Sequence, residues 1–415
     1  MTINNGDCAF MLISTALVFI MTPALAFFYG GMVRRKNILN TILSCFFICG
    51  VASVMWVAFG YSLSFSGDHM GIIGGFKNIF FNGVGGSPNE LYAATIPENL
   101  FASFQMMFAI ITPALICGAL SERMKFSALF IFIILWSIIV YYPLAHMVWG
   151  DGGFLRNLGA IDFAGGNVVH ISSGVSGLVA CIFLGKRREF GLVSYKPHNI
   201  PFVFLGAALL WFGWVGFNAG SALGANELAV HAFVTTNTSA ASALLSWMLI
   251  EKIKHGNPTL MGASTGAVIG LVAITPGAGF VPVWASIIIG GLVSPLCFLF
   301  ITKIKHKFAY DDALDAFGCH GVGGVWGGIA TGLFADKSIN PVAKWNGLIY
   351  GETELFVAQV ISIVITIAIS ALATFIIFSV MKKFMNIKVS LSDEAQGLDI
   401  SEHSETAYPA FQGLD

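Results

Sequence analysis

Long apolar runs separated by short polar links fill almost the whole chain. An apolar run of about 20 residues has the length of a helix that crosses a bilayer. The pattern predicts eleven such helices, at residues 8–33, 38–63, 98–121, 126–147, 163–185, 199–219, 227–250, 259–276, 280–302, 314–334 and 352–381. The expected architecture is an all-α integral membrane protein, with a membrane unit at residues 1–385 and a polar tail at 386–415.

The links give the orientation. With the amino terminus outside, seventeen Lys and Arg residues fall on the cytoplasmic side. They cluster at Arg34–Lys36, Arg123 and Lys125, Lys186–Arg188 and Lys196, Lys252 and Lys254, Lys303–Lys307, and Lys382–Lys388. Only Lys77, Arg156, Lys337 and Lys344 fall outside. This bias follows the positive-inside rule and requires an odd number of spans, with the carboxyl terminus inside. The polar start, Met1 to Asp7, lacks the basic leader of a cleaved signal peptide, so the first run is expected to stay as a spanning helix. Spans one to five and six to ten then enter from opposite sides, the plan of an inverted repeat with a passage between its halves.

Composition supports this reading. Of 415 residues, 56% are hydrophobic and only 10% charged, too little charge for the surface of a soluble domain this large. Basic residues form small scattered clusters, which excludes a nucleic-acid face. The seven cysteines are odd in number and include no CxxC pair, so they read as small buried hydrophobes. Cys319 adjoins His320 but has no partners at metal-ligand spacing, so no metal or cofactor is expected. No nucleophile, base and cofactor loop come together, and enzyme chemistry is not expected.

The candidate chemistry lies in two histidines within apolar runs. His170 follows Asp162 through Phe-Ala-Gly-Gly-Asn-Val-Val, and His320 follows Asp315 through Ala-Phe-Gly-Cys. An ionisable side chain at that depth is costly and usually faces a pathway or a partner. At 1.5 Å of rise per residue the two lie about 12 Å and about 7–8 Å beyond their aspartates. Descending from opposite faces, their imidazoles are expected to approach each other near mid-membrane. Asp162 has two compatible roles, capping the helix after it and adding negative potential at the mouth. Asp315 is expected to be structural. The other histidines (His69, His146, His198, His231, His255, His306 and His403) are expected to be interfacial or solvated. Three aromatic segments end near the outer face: Phe104 to Phe108, His146 to Trp149, and Trp214 through Phe217 to Ser221. Ring faces attract cations and a serine hydroxyl accepts an N–H, so together they suggest a cation-selective vestibule.

At these residues the chain resembles the Amt/Mep/Rh ammonium transporter family, in particular its bacterial and archaeal Amt branch. The most specific segment is DFAGGNVVHISSGVSGLVACIFLGKRR at 162–188. FFYGGMVRRKN (27–37), GALSERMKF (118–126), GWVGFNAGSALGANE (213–227) and DAFGCHGVGG (315–324) support it. The resemblance implies an eleven-helix fold, a homotrimer in the plasma membrane and one pore per subunit. Phe108, Trp149 and Ser221 would recruit ammonium (or methylammonium, its analogue), with Asp162 and Trp214 close by. Phe108 and Phe217 would form the gate, and His170 and His320 the twin-histidine relay. It further implies that the tail packs on a neighbouring subunit's inner loops and that a PII-type signal protein binds the cytoplasmic face. Composition alone would leave the tail solvated and disordered. His231, an added residue between Trp149 and Asp162, and Ser404 in the tail depart from the family pattern. An ammonium sensor signalling through the tail and a passive channel for ammonia gas are the competing readings. No output domain follows residue 385, which favours transport over sensing.

Overall fold

The computed structural model describes residues 2–408. Each of the eleven expected apolar runs is a helix. They are α1 (Asn5–Met32), α2 (Arg35–Phe65), α3 (Glu98–Leu120), α4 (126–149), α5 (Gly166–Leu184), α6 (Ile200–Ala222), α7 (Glu227–His255), α8 (Leu260–Ile274), α9 (Val283–Phe308), α10 (317–334) and α11 (Glu354–Phe384). Among the described residues, eight helices are long and apolar enough to cross a membrane. The remaining three have physical reasons to fall short. Helix α7 carries Thr, Asn and Ser through its middle, α8 has only 15 residues, and α10 is diluted by glycines and His320. One departure from all-helical structure is a short hairpin in the long α2–α3 link, β1 (Pro88–Asn89) with β2 (Ala93–Pro97).

Small residues let these helices pack closely, as expected where lipid supplies no hydrophobic drive between them. Helix α1 packs along α6, α3 lies against α5, and α8 lies against α10. Helix α11 flanks α5 through a buried polar stripe of Gln359, Ser362, Thr366, Ser370 and Thr374. Helices α5 and α10 touch each other around His170 and His320, so the first and second sets of five meet at their equivalent members.

At the other end of the bundle the basic clusters gather, and several are not surface charges at all. Arg187 grips Asp311 with Nε and Nη2 and reaches Glu122 with Nη1 at 2.8 Å. Glu122 also accepts from the Arg34 backbone and Nε and from Asn37. Arg123 is wholly buried and donates to the carbonyls of Gly185, Ser121 and Asp311. Burial opposes ionisation of Glu122 and Asp311, but the guanidinium groups outweigh it and hold both carboxyls below their ordinary values. Carboxyls with depressed folded-state values stabilise the fold above about pH 4, and that contribution is lost as pH falls through the lowered values. Glu122→Gln leaves Arg187 and Arg34 short of a buried counter-charge, which is expected to cost about 3–5 kcal/mol. Denaturant unfolding in detergent would measure this, and the variant should also lose less stability on acidification than the wild type.

The tail is ordered through Tyr408, contrary to a composition-only reading. Residues Ile387 to Val389 run beside Arg123–Lys125, with Lys125 N–H donating to Ile387 and Val389 N–H to Arg123. Two short helices come next, α12 (Leu391–Gln396) and α13 (Leu398–His403), the first opened by a Ser390–Asp393 capping box. Asp399 accepts the Asn40 N–H at the start of α2, and Glu402 accepts the Phe126 N–H at the start of α4. These carboxylates sit where helix N-termini present free N–H groups and partial positive charge.

Candidate functional site

Helices α5 and α10 are built alike around their histidines. Each opens on a wide π-type turn, Gly166–Ile171 and Phe317–Gly321, a feature frequent at functional sites. Both oxygens of Asp162 are occupied at the start of α5, taking N–H donors from Gly165, Gly166, Asn167 and Val168 at 2.6–3.4 Å. The equivalent residue before α10 is Asp312, which accepts from Ala316 and Phe317. Asp162 and Asp312 each precede their histidine by eight residues. Asp315 is therefore not the partner of Asp162 in the repeat. It adopts a left-handed backbone, φ 59°, and pairs with Lys305 at 2.6 Å, a structural role as expected.

The histidines meet as expected. Their Nδ1 atoms are 3.3 Å apart and their rings lie nearly parallel, 5.3 Å between centroids. His170 also stacks on Trp214 at 5.5 Å and Phe217 at 6.1 Å. Both rings are buried, and among the described residues His170 Nε2 has no hydrogen-bond partner. The space before them is about 10 Å³, near the least that holds one water, and is lined by apolar residues including Leu25, Ile111, Val169 and Val268.

Above this lumen Phe108 and Phe217 close on each other with ring centroids 4.4 Å apart. Trp149 sets its ring edge-on to Phe108, 5.9 Å away, and fixes its indole by donating to the Asp162 carbonyl. Ser221 donates its hydroxyl hydrogen to the Phe217 carbonyl, which leaves its oxygen lone pairs able to accept from a ligand. Phe108, Trp149, Asp162 and Ser221 line one cavity of about 210 Å³ that opens at this end of the bundle. Trp214 is not at that mouth. It lies below the gate against His170 and donates to Thr275. Asp162 reaches the cavity, but its carboxylate is committed to the helix start, so its backbone carbonyl is what orients Trp149.

Of the other histidines, His146 departs from the interfacial or solvated reading, while His198, His231 and His403 are half-buried and hydrogen-bonded. His146 is fully buried; His198 bridges Val33 and Tyr408; His231 bonds to the Val281 carbonyl; and His403 bonds to Asn40. Sequence reasoning also passed over Asp312, although the shared eight-residue spacing would have found it.

Helices of bilayer length around ring-lined cavities define a membrane protein of the transport class. The chain belongs to the ammonium transporter family, whose model, the Ammonium Transporter Family, matches residues 9–408. It is 50% identical over 403 residues to an ammonium transporter of Bacillus subtilis, covering 97% of this chain and 98% of that one. It is 45% identical over 406 residues to ammonium transporter Amt1 of Archaeoglobus fulgidus, covering 98% and 100%. The fold superposes on the crystal structure of Saccharomyces cerevisiae Mep2 with a TM-score of 0.89 at 33% identity, covering 99% and 93%. A Sensor Amt Protein gives 0.88 at 27% identity, covering 96% and 98%. The protein is thus a multi-pass membrane protein whose relatives are named as ammonium transporters and not as enzymes.

Proposed function

We propose that the chain conducts ammonium nitrogen across the plasma membrane by stripping the ion of a proton, with the charge carried separately. The His170–His320 contact beneath the Phe108–Phe217 gate carries this reading. Ammonium meets the ring faces of Trp149 and Phe108 and donates to Ser221. Asp162 adds negative potential and holds Trp149 in place. Past the gate the lumen is apolar and nearly dry, so a charged amine is disfavoured and gives up a proton. Neutral ammonia then passes beside Trp214 and the two imidazoles. A proton delivered to the free Nε2 of His170 can leave from His320, because across the Nδ1 contact one ring donates while the other accepts. Potassium has no proton to give up and stops at the gate.

In the same reading the eleven helices all cross the bilayer, with the amino terminus outside and the tail in the cytoplasm, and three subunits each carry their own pore. Residues 386–415, of which 409–415 lie outside the described residues, form a regulatory tail; its described part contacts a neighbouring subunit as well as its own chain, and a PII-type protein docks at the tail face. Purified protein in liposomes is expected to give a transient current on an ammonium pulse and none on a potassium pulse. Ammonia flux without current would instead make it a gas channel. The likeness to a Sensor Amt Protein supports a second reading, substrate binding without transport. In that case binding would persist with neither flux nor current.

A further inference from the structure

His146 takes no part in that passage, yet it is buried without measurable exposure in the last turn of α4, three residues before Trp149. Its Nδ1 lies 3.0 Å from the Ser64 carbonyl oxygen at the end of α2. Its Nε2 lies 2.9 Å from Asp68 Oδ1 on the link after α2. A carbonyl can only accept, so Nδ1 carries a hydrogen. Asp68 also takes the Gly71 N–H at 2.8 Å, and its carboxyl is held below the ordinary value, chiefly by His146. Both ring nitrogens are therefore engaged by oxygens of the α2 end and the link after it.

This clamp ties two segments that meet at the mouth. The link after α2 is bonded again to the segment after α4, where Phe154 N–H donates to Gly71 at 2.8 Å. Trp149 lies between the clamp and the other restraints on its own position. Its indole is held by the Asp162 carbonyl, and its carbonyl accepts from Arg156. His146 fixes the helical turn that carries Trp149, while those two bonds fix the indole and the exit of the chain from the helix.

We propose that His146 and Asp68 form a hydrogen-bonded clamp that positions Trp149 and thereby sets how tightly the mouth captures ammonium, a role that rests on the transport reading. His146 is a positioning residue: it touches neither substrate nor lumen. Loosening the clamp weakens capture and leaves the gate and histidine pair intact.

The test is the concentration dependence of ammonium-evoked current in liposomes. Asp68→Ala removes the acceptor for both His146 and Gly71. It is expected to raise the half-saturating concentration about tenfold, the scale of one charge-assisted hydrogen bond, with the maximal current unchanged. His146→Gln should do the same, and the double variant should be no worse than the worse single, since both act through one contact. If His146→Gln does not fold, Asp68→Ala decides alone, because Asp68 is partly exposed and its truncation leaves no cavity. A normal wild-type current with an unchanged half-saturation in Asp68→Ala, or with only its maximum reduced, would overturn the clamp. A wild type that gives no current would overturn the transport reading, and the clamp with it.

Discussion

Replacing His170 by alanine is expected to reduce ammonium-evoked current by roughly 100-fold or more, the usual scale of a positioned proton-transfer group. The substitution removes the Nε2 that has no hydrogen-bond partner among the described residues and leaves His320 Nδ1 without its partner at 3.3 Å. It also removes the ring that stacks between Phe217 and His320, so the continuous face of the passage is broken. His320→Ala should have the same effect, and the double variant little more, because the pair works as a unit. Current recorded from liposomes of matched protein content measures this. An unchanged current in His170→Ala would end the proton-relay mechanism, while a lost current with ammonia flux retained would show that the rings move the charge and not the gas.

Much of this was legible in the sequence because lipid imposes a simple rule: backbone polar groups must be satisfied within each span, so apolar runs become helices. Trp149 and Ser221 reach the mouth from the ends of α4 and α6, Phe108 meets them from the middle of α3, and His170 and His320 are set by the π-type turns that open α5 and α10. What was not legible depends on contacts between distant links. Arg123 and Arg187 were read only as charges on the cytoplasmic side, and their burial against Asp311 and Glu122 joins links up to 188 residues apart. The charge count still gave a consistent orientation, since it depends on which end holds these residues and not on their exposure. His146 reads as an interfacial residue until Asp68, 78 positions earlier, is placed beside it. Asp315 drew attention because it stands in the glycine-rich run. The counterpart of Asp162 was passed over because Asp315 stands closer to His320, while the eight-residue spacing that the two halves share points to Asp312. The tail looks disordered by composition, and only its docking on the starts of α2 and α4 gives its carboxylates partners.

Gly174→Ala is expected to abolish transport and lower the unfolding midpoint, the largest effect of any single methyl group in the pore. Gly174 lies four residues beyond His170, and Gly324 four beyond His320. A Cβ at Gly174 would collide with the Gly321 nitrogen and stand 2.5 Å from its Cα, against backbone that has no rotamer to change. A Cβ at Gly324 would stand 3.0 Å from the Ile171 side chain and 3.1 Å from His170 Cβ. The crossing is thus reciprocal, each helix offering a glycine to the histidine turn of the other, and it is tighter on one side. Overpacking costs about 1–3 kcal/mol when side chains can shift, and more where backbone must move. In Gly174→Ala the helices must separate by about an ångström to restore ordinary contact, which takes the 3.3 Å histidine pair out of hydrogen-bond range. Gly324→Ala, whose nearest neighbours include a side chain that can yield, should retain part of the current. Unfolding midpoints in detergent together with liposome currents separate the two. Wild-type values for Gly174→Ala would mean that α5 and α10 do not cross this closely, and the shared proton between His170 and His320 would lose its structural basis.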